Sequence, residues 1–275
     1  MHDYSDVIKR LVRSICQRQQ ARGVWLTVSL FLVLGTVISG AGWRSTLMAT
    51  EPSDLTLDLV GQFGGSPQAI YVEGSHAYLG VGLRVVVLDV SDPQLPHFCG
   101  QTQETLPDLT RGIYKAGDHL YVANDTGGLW VFSVSQPCTP TQVGAASTMG
   151  RALDVYVTGD RTEDTADDYA YVAADEAGLL VFSVADPAQP VQVGQVAMPG
   201  KAVSVVVDRQ YAYVAASSAG LRVLSLAYAA QPVEVGAVAI PGAAVDVRVS
   251  GYRVYVTAGN GGLRVIDVFK PDEPM

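Results

Sequence analysis

The motifs that make an enzymatic reading specific are missing: the 275 residues hold no nucleophile elbow, HExxH pair, Walker loop or paired CxxC. Cations are scarce, with 18 Lys and Arg against 27 Asp and Glu and a net charge of −9. No basic stripe with interleaved aromatics appears, and an acidic body repels phosphate backbones, so nucleic acid is excluded as a partner. Cysteine is limited to Cys16, Cys99 and Cys138. What is abundant is apolar: 48% of the chain is hydrophobic, enough for a globular body of one folded domain.

The little positive charge there is clusters at the start. Lys9, Arg10, Arg13, Arg18 and Arg22 outweigh Asp3 and Asp6, giving residues 1–23 a balance of +3 and leaving −12 for the rest. Residues 24–43 then run for 20 positions without a charge, long enough to cross a hydrocarbon core of ~30 Å as a helix. Basic residues before the run place that side in the cytoplasm, with Trp25 and Trp43 where interfacial aromatics belong. The expected organisation is a basic cytoplasmic segment (1–23), a signal anchor or signal-peptide core (24–43), a linker (44–55) and an exported body (56–275). Ser39-Gly40-Ala41 also has the small residues of a cleavage site, so anchorage and secretion after cleavage near Ala41 both stay open. Cys99 and Cys138 lie in the exported part, where an oxidising compartment would permit a bridge. They are read here as two small, buried or half-buried hydrophobes.

From about residue 66 one pattern recurs. Gly-Leu followed by alternating Val appears at Gly128, Gly178, Gly220 and Gly262, with spacings of 50, 42 and 42, and a gapped first copy ends in Leu88-Asp89-Val90. A Tyr precedes each Gly by seven residues, at Tyr121, Tyr171, Tyr213 and Tyr255, with Tyr78 as the counterpart in the first copy. Pro-x-x-Pro follows, at Pro93, Pro137, Pro187 and Pro271, with Ala229 replacing the first Pro of the fourth copy, and a Gly comes next at Gly100, Gly144, Gly194 and Gly236. Within one period, VSVVV, YAYVAA, LRVLSL and VEVGAVAI are each strand-length and separated by turn residues. Four strands per repeat of this length make one propeller blade.

The units LRVVVLDVSDP (residues 83–93) and LRVIDV (263–268) resemble the LVIVD-repeat family of bacterial and archaeal surface proteins. The resemblance covers roughly residues 58–275 and implies a β-propeller without inherited catalytic residues; the Trp-Asp signature of WD40 repeats is absent. The expected fold is all-β: about five four-stranded blades (approximately 66–105, 106–148, 149–198, 199–240 and 241–275) after one N-terminal hydrophobic helix. The fifth copy stops before its outer strand. Leu57-Asp58-Leu59-Val60-Gly61 ends in the Val-Gly of the outer-strand motif, so residues 56–63 are expected to add to residues 263–268 and close the ring.

Candidate site residues lie where copies differ. Asp154 and Asp246 fill a position on the innermost strand held elsewhere by Ala69, Gly112 and Ser204. Such a ring would hold a cation or polar ligand at a water-filled axis, although bonding of each carboxylate to nearby backbone is preferred. Arg151 and Lys201 share the position just before that strand, and with Arg111 they would ring one channel mouth and select an anionic group. Solvated loop charges explain them as well. His76 and His119 share a hairpin position but are not expected to share a metal, and the sequon Asn124-Asp125-Thr126 reads as turn chemistry.

The reading is therefore an extracytoplasmic or cell-surface binding protein, not an enzyme, with no catalytic residue, metal or cofactor. One propeller face would meet a surface protein, glycan or cell-wall component. Alternatives are an extracytoplasmic polysaccharide-acting enzyme with its site at the channel mouth, and a purely structural scaffold.

The third copy carries eight extra residues between Val157 and Tyr171, including Asp160, Glu163, Asp164 and Asp167 beside Asp168. The spacing lacks the central Gly of an EF-hand loop, so a solvated hairpin tip is expected rather than a calcium site. Deleting residues 160–167 is expected to leave the melting temperature within a few degrees, a change near ±0.5 kcal/mol. A loss of folding in calorimetry would show that the segment packs inward or binds an ion.

Overall fold

The computed structural model describes residues 67–159 and 168–275. The alternating Val, Tyr and Leu segments form nineteen strands, sorted in sequence order into five antiparallel sheets. Blade one holds β1 (Pro67–Glu73), β2 (His76–Val81), β3 (Arg84–Asp89) and β4 (His97–Gln101). Blade two holds β5 (Gly112–Ala116), β6 (His119–Ala123), β7 (Leu129–Ser133) and β8 (Thr141–Ala146). Blade three holds β9 (Asp154–Thr158), β10 (Tyr169–Ala173), β11 (Leu179–Ser183) and β12 (Val191–Val196). Blade four holds β13 (Ser204–Asp208), β14 (Tyr211–Ala215), β15 (Leu221–Ser225) and β16 (Val233–Val238). Blade five holds β17 (Asp246–Ser250), β18 (Arg253–Thr257) and β19 (Leu263–Asp267). This is the expected five-bladed propeller.

Four apolar interfaces join consecutive blades. Tyr78, Val85 and Val87 pack on Leu120, Val122 and Phe132 of blade two. Tyr121, Leu129 and Val131 pack on Val155, Leu180 and Phe182 of blade three. The same third-strand pair, Leu179 with Val181 and then Leu221 with Val223, builds the next two interfaces. Rings of Tyr71, Tyr114 and Tyr156 continue these contacts along three inner strands, with centroids 5.2 and 4.5 Å apart.

A backbone contact explains two of the sequence anchors together. The ladder between third and fourth strands skips one residue in four blades, at Cys99, Val143, Val193 and Val235. Each bulge twists the outer strand, and the Gly that follows lets the next blade's Pro-x-x-Pro turn rest on it. A side chain at Gly100, Gly144, Gly194 or Gly236 would collide with the carbonyl of Cys138, Pro187, Ala230 or Pro271 respectively.

The same approach corrects the reading of the cysteines. Cys99 and Cys138 form a disulfide joining blade one to blade two, with Cα atoms 5.0 Å apart. The bulge and the turn bring the two positions together although they are 39 residues apart in sequence. Closing a loop of that size is worth about 4 kcal/mol in the chain-entropy account.

Blade five differs from the others. The pairs Val85 and Val87, Leu129 and Val131, Leu179 and Val181, and Leu221 and Val223 are 0% exposed, whereas Leu263 and Val265 are 60% and 53% exposed. Met275 exchanges backbone hydrogen bonds of 2.6 and 3.0 Å with Asp267, as Val233 pairs with Ser225 in blade four. Beyond that rung β19 has no outer partner among the described residues. The expected closing strand at 56–63 lies outside the described residues, as do the apolar run at 24–43 and the insertion at 160–167. Among the described residues no helix is long and apolar enough to cross a membrane.

Full burial of Leu57, Leu59 or Phe63 would contribute ~1.5 to 3 kcal/mol each, a large share of a total of ~5 to 15 kcal/mol. A chain starting at Ser66 is thus expected to melt well below one starting at Gly42, or to oligomerise through the edge of β19. Equal melting temperatures and monomeric sedimentation for both would refute closure by that segment.

Candidate functional site

The inner strands begin side by side, so the repeat position of Gly112, Asp154, Ser204 and Asp246 is brought to one end of the channel. Asp154 is half-buried there. Its Oδ1 accepts from its neighbour's Val155 amide at 2.9 Å, and its Oδ2 accepts from the Val205 amide at 3.1 Å and the Ser204 hydroxyl at 2.8 Å. Ser204 Oγ also lies 3.0 Å from Asp246 Oδ1, and Asp246 pairs with Arg248 at 3.0 Å. Gly112 leaves the space that Asp154 occupies, since a Cβ there would come within 2.8 Å of the Asp154 backbone and carboxylate.

Proton accounting follows. Ser204 carries one hydroxyl proton and faces a carboxylate oxygen on each side, so it donates to only one of them. Burial pushes the Asp154 carboxyl above the ordinary carboxylate range, against the opposing pull of Arg248 and the hydrogen bonds from Ser204 and Val205. Ser204 thereby links Asp154 to Asp246, and Asp246 pairs with Arg248. The expected backbone bonding of these carboxylates is present at Asp154, together with side-chain links between blades three, four and five.

The cationic candidates sit at the same end of the strands but converge on other partners. Arg111 Nε donates to Asp125 Oδ2 at 2.7 Å, and its Nη1 reaches Gln68 of blade one at 2.8 Å. Arg151 clamps the same carboxylate through Nε at 2.6 Å and Nη2 at 2.7 Å. Lys201 pairs with Asp175 at 3.2 Å and with Glu176 at 3.3 Å. Among the described residues none of the three forms a hydrogen bond or ion pair with Asp154 or Asp246.

Asp125 is the residue that sequence reasoning missed. It sits in the second hairpin turn of blade two with φ 44°, as Asp175, Ser217 and Gly259 do in later blades at φ 53°, 47° and 48°. Asp and Ser tolerate this left-handed geometry through short polar side chains. The turn residue also forms an antiparallel bridge to the next blade, Asp125 to Ala152, Asp175 to Ala202 and Ser217 to Ala244. A signal was available: an acidic turn residue comes with a cation in the next copy, Asp125 with Arg151 and Asp175 with Lys201, while Ser217 comes with Ala243. These bridges put the second-hairpin turns and the inter-blade segments on one face. Asn124 is buried with its side chain bonded to Asp108 backbone, so the sequon is a turn device. His119 does not join His76.

The comparisons with known proteins agree with this architecture. The LVIVD repeat matches residues 64–103, 110–148, 149–198, 199–239 and 241–275. The crystal structure of the computationally designed Ika8 protein is similar, with TM-score 0.57 and 8% identity over 74% of this chain and 59% of that one. The computationally designed Ika4 protein is similar at 8% identity over 61% of this chain and 96% of that one, with TM-score 0.49. At such identity the likeness to Ika8 concerns the fold alone, and the chain spans 59% of its length. No curated protein matches.

Asp125 and Asp154 are expected to respond to acid in opposite ways. Hydrogen bonds from Arg151 first, then Arg111, hold Asp125 down from 3.8 to about 2. Its folded value lies below its unfolded one, so its contribution is complete above the ordinary range and is lost as pH falls toward about 2. Asp125→Asn should cost about 2 kcal/mol at pH 7 in urea unfolding, with the gap to the parent narrowing on acidification. Asp154 is raised, so its ionised form opposes folding as pH climbs, and Asp154→Asn should remove that slope at no loss of stability near neutrality. A pH-independent gap for Asp125→Asn would overturn the first assignment, and a large neutral-pH loss for Asp154→Asn the second.

Proposed function

The chain belongs to the LVIVD repeat family, and from that premise we propose that it is an exported binding protein whose propeller presents one face to a surface protein, glycan or cell-wall component. The observation that carries this reading is the alignment of second-hairpin turns with inter-blade segments through the bridges at Asp125, Asp175 and Ser217. Repetition gives the face a constant backbone frame, while the side chains on it vary from blade to blade: Met149 is exposed, Arg151 and Lys201 are half exposed and Glu176 projects into solvent. Rigid turns carrying variable side chains suit recognition, because little ordering entropy is lost on binding. Ion pairing neutralises much of the local charge on this face, which favours mixed polar and apolar contacts over capture of a simple anion.

Export rests on the uncharged run at 24–43 with basic residues before it. Anchored by that run or released near Ala41, the propeller would stand outside the cytoplasm.

Two measurements test the reading. Protease added outside intact cells should digest the body, and protection of the body would sink the export claim. Cell-wall and glycan fractions should show saturable binding without turnover, weakened when Met149 and Glu176 are both replaced by Ala. Turnover of a polysaccharide would favour an enzyme at the channel mouth, and neither binding nor turnover would favour a scaffold.

A further inference from the structure

The disulfide has a third side chain beside it that the fold does not require. His76, at the start of β2, places a ring nitrogen so that it and the sulfurs of Cys99 and Cys138 all lie within 4.8 Å of one another. His76 and Cys99 are half-buried and Cys138 is exposed, so the group is open to solvent on one side. No other set of three or more His, Cys, Asp or Glu among the described residues is arranged in this way.

The two cysteines are held together by more than their bond. Gly100 rests on the Cys138 carbonyl in the same way that Gly144 rests on Pro187, Gly194 on Ala230 and Gly236 on Pro271. Those three interfaces have Val143 with Ala188, Val193 with Ala230 and Val235 with Asp272 at the positions of Cys99 and Cys138, and they close without a covalent link. Breaking the disulfide therefore leaves both sulfurs beside His76, positioned by the bulge and the turn. A site whose ligands stay in place when the bond opens is preorganised for a metal.

We propose that, once reduced, His76, Cys99 and Cys138 form a site for a thiophilic d10 cation such as zinc(II), with a fourth position open to water. Two thiolates and an imidazole suit a soft or borderline cation. Zinc takes thiolate at about 2.3 Å and imidazole at about 2.0 Å, distances that small side-chain rotations supply from atoms already this close. Opening the bond needs two electrons and two protons from an external dithiol: the Cys99–Cys138 bond breaks, two thiols form, and the dithiol becomes a disulfide. Zinc then displaces the two thiol protons. The oxidised protein offers only His76 and is closed to the metal, so the site couples metal occupancy to the redox state of the blade one to blade two junction.

The test uses the full chain with Cys16→Ser, so that Cys16 supplies no thiolate. After reduction by a dithiol and anaerobic desalting, zinc(II) is titrated against a chromogenic chelator. One tightly held zinc per chain is expected in the reduced protein and none in the oxidised one. His76→Ala should weaken binding tenfold or more, Cys138→Ser should abolish it, and cobalt(II) in place of zinc should give a thiolate charge-transfer band only in the reduced protein. Circular dichroism and melting of the reduced His76→Ala protein establish that it is folded, since His76 lies outside the inter-blade cores. No uptake by the reduced parent, equal affinity in folded His76→Ala, or equal uptake in the oxidised protein would each overturn the proposal.

Discussion

A blade of four short strands is too small to bury both of its own faces, and everything else in this protein follows from that shortage. Apolar side chains at alternate positions of a strand point to opposite faces, so each sheet presents one face forward and one back. The forward pair on the third strand, such as Leu179 with Val181, disappears from solvent only because the next blade lies on it. Radial repetition satisfies this demand with one kind of interface used again and again. The glycine after each outer-strand bulge sets the spacing, because the following blade can come close only where no Cβ intervenes. Hydrophobic burial thus supplies the attraction, and a backbone contact supplies the register.

Polar groups are placed so as not to spoil that packing. The left-handed turn residue bridges to the next blade with its backbone, which leaves its side chain free to meet a cation from the same segment. In blade two this becomes a carboxylate held by two guanidiniums; in blade three it is a single lysine. At the inner strands a different solution operates. Burial raises the Asp154 carboxyl, and Ser204 links it to Asp246, which pairs with Arg248. Both arrangements tie neighbouring blades, one through charge and one through hydrogen bonds, and both sit at the same end of the strands.

Much of the architecture was legible because it repeats. The Gly-Leu anchor, the Tyr before it and the Pro-x-x-Pro turn each mark a position that recurs once per blade, and the four strand segments of the fourth copy fall within a residue or two of their observed bounds. What was not legible depends on contacts between copies. A bridge between Cys99 and Cys138 was open in sequence but not decided there, because the contact of Gly100 with the turn that carries Cys138 is made between copies. Asp125 looked like an ordinary turn residue for the same reason: its partner Arg151 lies 26 residues on, in the next copy. Asp154 and Asp246 were noticed as a repeat position, but periodicity carries no information on the Ser204 hydroxyl that joins them or on the Arg248 that pairs with Asp246.

The fifth blade shows how far repetition can be read as structure. Its third strand has the same Leu-Arg-Val as the fourth, Leu263-Arg264-Val265 after Leu221-Arg222-Val223, and the forward pair is bare in one and sealed in the other. Repeat proteins that end on solvent generally carry polar residues on the outer face of the terminal unit. Here the fifth copy keeps the apolar pattern of an interior unit, and Tyr252 and Phe269 add an exposed aromatic pair at its edge, 5.1 Å between centroids. Sequence fixes which side chains a blade offers forward, whereas burial depends on a neighbour that no single repeat encodes. An apolar face written as an interior one is a surface whose free energy is lowered by a partner of matching pattern, so the physical identity of each blade lies in the interface it completes as much as in its own strands.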